Sequence, residues 1–120
     1  MKLLDKILEL AKSSVKKIVL PEGTDERTLR ATEIILKDKI ADIILIGNEN
    51  EINNLANKFG VNISGVQIIE PKKFNKFEEY ANLFYELRKN KGMTLEKAKE
   101  YMLDNTYFGM MMVKQGYADG

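Results

Sequence analysis

Histidine is absent from the 120-residue sequence, and so is cysteine. Without histidine the chain lacks the commonest general base and the commonest transition-metal ligand. Without cysteine it has no disulfide, no thiolate metal site and no thiol nucleophile, a composition that fits a reducing cytoplasm. Charge of one sign is missing as well. Nineteen Lys plus Arg stand against 18 Asp plus Glu, a formal +1, so bulk electrostatics suggests neither a nucleic-acid nor an anionic-membrane partner. In the opening "MKLLDKILELAK", Asp5 and Glu9 interrupt any signal-peptide apolar core. No run of transmembrane length follows, and a soluble, unexported product is expected. Neither G-x-G-x-x-G nor G-x-x-x-x-G-K-[ST] occurs, which leaves generic nucleotide binding without support. Internal repeats, low-complexity tracts and long linkers are also missing, and the length suits about one domain.

What is present alternates. Leu3, Leu4, Ile7, Leu8 and Ala11 fall on one stripe of an amphipathic helix, with Lys2, Lys6 and Glu9 towards solvent. "KKIVLPEG" reads as a buried strand closed by Pro21 and Gly23. Thr24 can cap the next helix, roughly "DERTLRATEIILKDK", whose Asp25 and Glu26 suit its positive end. "ADIILIGN" repeats the strand signature, and the run Ile43 to Ile46 fits a strand covered on both faces. Ile52, Leu55, Ala56 and Phe59 form a helical stripe that Gly60 ends. "VQIIE" is a third strand. After Pro71 comes the helix "FEEYANLFYELRKNKG", with Phe77, Tyr80, Ala81, Phe84 and Leu87 inward and Gly92 at its close. Thr94 opens "LEKAKEYML", and Asn105 opens "TYFGMMMVKQ" before Gly116.

This order of strands and helices is the grammar of a doubly wound α/β layer, a three-layer αβα arrangement with a mostly parallel sheet. Ligands of such sheets bind outside the carboxyl ends of the strands. Here those ends are "PEGTDER", "IGNENE" and "EPKKF". The final "FGMMMVKQGYADG" is apolar nearly all round, because successive helical residues sit about 100° apart. It reads as cut short. Phe108, Met111, Met112 and Val113 are expected to lack a covering strand, and a chain with that patch open should bind hydrophobic dye or self-associate.

Four separated segments carry a resemblance: "VLPEGTDERTLRA" (19–31), "ADIILIGN" (41–48), "YELRKNKGMTLEKA" (85–98) and "YFGMMMVKQGYADG" (107–120). In this order they closely resemble the N-terminal part of phosphate acetyltransferases, also called phosphotransacetylases, and the sister phosphate butyryltransferases share parts of the pattern. The resemblance implies residues 1–120 as part of domain I of a longer enzyme. Its two domains would enclose a cleft, as in the isocitrate and isopropylmalate dehydrogenases. In the family "ADG" leads into a strand of V-S-G-A type. The implied reaction is reversible acetyl transfer between acetyl phosphate and coenzyme A, with phosphate as the other small-molecule partner. Coenzyme A is a substrate, and no tightly bound cofactor or metal is implied. The complete enzyme would be cytoplasmic and a homo-oligomer, a dimer. The family's catalytic carboxylate, serine and arginine groups lie later, so no catalytic residue falls in this chain, and alone it should be inactive.

One residue carries over. Arg88, of the "LRKxKG" pattern, borders the coenzyme A site in the resembling enzymes, where a guanidinium suits phosphate oxygens. A plainer reading stands beside it, since Arg88, Lys89 and Lys91 also suit the negative end of a helix. Glu22, Asp25 and Arg27 lie at a strand end where a site could be, although turn and cap explain them nearly completely. Lys72 and Lys73 read as a solvated loop, and Met110 to Met112 as core or inter-domain packing rather than an adaptable binding surface. Two further readings remain open: a same-fold enzyme with another acyl group or dehydrogenase chemistry, and a non-catalytic module that binds coenzyme A or a partner chain.

Overall fold

Isoleucine and valine dominate the three strands, where branched side chains suit a pleated surface covered on both sides. The structure, a computed structural model, describes residues 2–12 and 16–120. Its elements are α1 (Lys2–Lys12), β1 (Lys17–Leu20), α2 (Glu26–Lys37), β2 (Asp42–Ile46), α3 (Glu49–Phe59) and β3 (Gln67–Ile69). A 3₁₀ turn (Pro71–Lys73), α4 (Phe77–Arg88), a second 3₁₀ turn (Lys89–Lys91), α5 (Leu95–Met102) and α6 (Asn105–Lys114) follow. The strands run parallel in the order β1-β2-β3, with Lys17 opposite Asp42, Leu20 opposite Leu45, and Ile46 opposite Ile69.

The period of two along each strand divides the core between two layers of helices. Ile18, Leu20, Ile43 and Leu45 pack with Ile7, Leu29, Ile35 and Ile52 of α1, α2 and α3. Ile44, Ile46 and Ile69 pack on the other face with Tyr80, Phe84, Met102, Phe108 and Met111 of α4, α5 and α6. This is the α/β, parallel-sheet arrangement that the alternation of strand and helix predicts. On α1, Ile7 is buried and Leu3, Leu4 and Leu8 flank it. The expected exposure of Lys2 and burial of Ala11 concern side chains outside those described.

Several local expectations are corrected. Asp25, not Thr24, caps α2, its carboxylate accepting from the backbone N–H of Arg27 at 2.8 Å. Asp104, not a residue within the helix, caps α6 by accepting from the backbone N–H groups of Thr106 and Tyr107. Leu87 continues the apolar stripe of α4 but is 51% exposed, because it falls in the last turn, where the chain passes into the 3₁₀ turn 89–91. Gly60 and Gly92 do close α3 and the second 3₁₀ turn in the left-handed conformation.

The largest correction concerns α6. Phe108, Met111 and Met112 are fully buried within this chain. The helix lies directly on the sheet, where Gly109 lets it approach Ile46, Val19 and Pro21, and α4 and α5 flank it. Neighbours on several sides satisfy an all-round apolar surface, leaving Met110 at 44% and Val113 at 37% exposure. After α6 the chain returns to the outer side of β1. The N–H of Gly120 donates to the carbonyl of Lys17 and the N–H of Val19 to the carbonyl of Gly120, the pairing of a parallel ladder about Ile18. Asp119 Oδ2 also accepts from the N–H groups of Lys16 and Lys17.

Candidate functional site

The returning segment makes β1 a point of reversal. From β1 the chain moves through α2 to β2 on one side, whereas 119–120 dock on the other, with α6 on the opposite face. A crevice is expected where connections diverge in this way, outside the strand carboxyl ends. One is present there. A cavity of about 580 Å³ lies between the β1–α2 turn (Pro21, Glu22, Thr24, Asp25) and the α5–α6 corner (Leu103, Asp104, Asn105, Thr106).

Its charged liners are all acidic. Asp25 and Asp104 are committed to the first turns of α2 and α6, and the backbone N–H of Arg27 holds the Asp25 carboxyl below its ordinary value. The Arg27 guanidinium stands 3.5 Å from Asp25 and is well exposed. Glu22, Asp25 and Arg27 are therefore brought together at the strand end, but two of the three shape a helix start. With no cation among its liners, this crevice alone does not suit a phosphate. Among the described residues no group of carboxylates is arranged to hold a metal ion.

Asp104 also borders a second cavity of about 380 Å³, with Lys97, Glu100, Tyr101 and Tyr107. Its wall is aromatic. Tyr101 and Tyr107 meet edge to face at 4.9 Å, and both pack on Phe84, at 5.3 and 5.8 Å. Above that same ring lies Arg88, its guanidinium carbon 5.3 Å from the Phe84 centroid. Arg88 is the last residue of α4 and exposed. Among the described residues no carboxylate pairs with it, whereas the neighbouring Lys89 is held by Glu86 at 2.7 Å. That ion pair also raises the Lys89 pKa. Lys72 and Lys73 stay in a solvated turn, with Lys73 at 3.6 Å from Glu70. Tyr101, Tyr107 and Asp104 escape sequence reasoning because they meet across a corner between two helices, where no single period applies. A third cavity, of about 480 Å³ at the end of α3, is lined by amides and apolar groups without a titratable side chain.

Comparison with known proteins places this geometry. The sequence profile described as "Phosphate acetyl/butaryl transferase" matches residues 2–120. The chain is 60% identical over 120 residues to a phosphate acetyltransferase of Thermoanaerobacterium thermosaccharolyticum, covering all of this chain and 36% of that protein. A phosphate acetyltransferase of Acetivibrio thermocellus is 52% identical over the same span, again 36% of its length. The crystal structure of a phosphotransacetylase from Streptococcus pyogenes superposes with a TM-score of 0.81 at 37% identity, over 99% of this chain and 36% of that one. The chain thus spans about a third of the length of these relatives.

Proposed function

Since the chain belongs to the phosphate acetyl/butaryl transferase family, we propose that it forms the N-terminal part of domain I of an enzyme for reversible acetyl transfer between acetyl phosphate and coenzyme A. In that reaction the thiolate of coenzyme A attacks the acetyl carbon, a carbon–sulfur bond forms, and the bond to the phosphate oxygen breaks. The names of the relatives at 60% and 52% identity support acetyl as the group carried. Coenzyme A serves as a substrate, and the complete enzyme works in the cytoplasm as a homodimer. Among the described residues no helix is long and apolar enough to cross a membrane.

Arg88 is the residue of this chain that we assign to coenzyme A, through one of its phosphates. A single observation carries the assignment: the guanidinium is exposed, has no carboxylate partner among the described residues, and is steadied over Phe84, the ring against which Tyr101 and Tyr107 pack. A cation that served the helix end alone would need no such support, and Lys89 beside it already makes the local ion pair. In the complete enzyme, Arg88→Ala is expected to remove a charge-assisted contact of about 1.5 to 3 kcal/mol, raising the KM for coenzyme A roughly tenfold or more. The KM for acetyl phosphate should change much less. Arg88→Lys should restore only part, because an ammonium keeps the charge without the planar pair of donors. Unchanged coenzyme A kinetics with a lowered thermal midpoint would make Arg88 a helix-end cation and nothing more.

A further inference from the structure

We draw no further inference here: the strongest candidate, the outward face of α6 where Met110 and Val113 stand 44% and 37% exposed, is an unpartnered apolar helix face, and nothing in the structure shows what covers it.

Discussion

A Cβ added at Gly23 would stand 2.7 Å from Ile52 Cδ1 and 2.8 Å from the carbonyl oxygen of Ile46. The first neighbour is the free end of a side chain and can swing away; the second is backbone at the end of β2 and cannot. Gly23 does not take a positive φ, so it is room that this position demands, not conformational freedom. Gly23→Ala is therefore expected to cost about 1 to 3 kcal/mol by overpacking. Gly109 makes the contrast. Its added Cβ would come closer than ordinary contact only to the movable Ile46 Cδ1, at 3.2 Å, with Val19 and Pro21 at ordinary contact distance, and a helical Gly→Ala change returns about 1 kcal/mol. Gly109→Ala should fall within about 1 kcal/mol of neutral. Urea midpoints of the two variants check the ranking, which reverses if Gly23 merely makes a turn. The sequence marks Gly23 as a turn residue correctly, but its closeness to Ile46 comes from the fold and has no local signal. Arg88 is similar: its position in "LRKNKG" is legible, whereas Phe84 beneath it and the tyrosines beyond come from packing.

Helix starts show where local reading stops. Thr24 and Asp25 are adjacent and both are able caps, as are Asp104 and Asn105. The structure uses the aspartate each time, a choice that depends on which residue takes the extended backbone as the chain leaves the preceding strand or turn. At α2 this has a pH consequence. The Asp25 carboxyl is held below its ordinary value, chiefly by the N–H of Arg27, so the stabilisation belongs to the ionised form. It is fully present above the ordinary aspartate range and lost as pH falls through the lowered pKa. The first turn of α2 should fray in that acid window, visible as movement of the Arg27 amide resonance. Asp25→Asn keeps an acceptor and should flatten the response; a resonance equally pH-sensitive in that variant would place the titrating group elsewhere. Strands, by contrast, are read well, since Ile43 to Ile46 are all buried as a two-faced run requires. The apolar character of α6 is also legible, but its cover is not: the partners of Met111 and Met112 come from α4, α5 and the sheet, and a helical wheel cannot show them.

At the largest scale the described residues form a sheet with helices on both faces, and residues 119 and 120 dock beside β1. Its parallel, layered class follows from the alternation of elements. The closure does not, because "ADG" carries no strand signature of its own. Burial of Phe108, Met111 and Met112 also removes the main reason to expect dye binding through the chain's end. The clasp at β1 joins positions 102 and 103 residues apart in sequence. Such a contact is read best by a clock. The amides of Lys16, Lys17 and Val19 have their acceptors in residues 119 and 120, so their exchange with deuterated solvent times the release of that segment rather than the opening of β1 itself. Asp119→Ala should speed exchange at Lys16 and Lys17, which lose their acceptor, more than at Val19, whose acceptor is the Gly120 carbonyl. If all three exchange at unchanged rates, the clasp is not what shields them. If they quicken while Ile44 in the central strand stays slow, the edge of the sheet at β1 opens and closes as a unit of its own, held shut by residues 119 and 120.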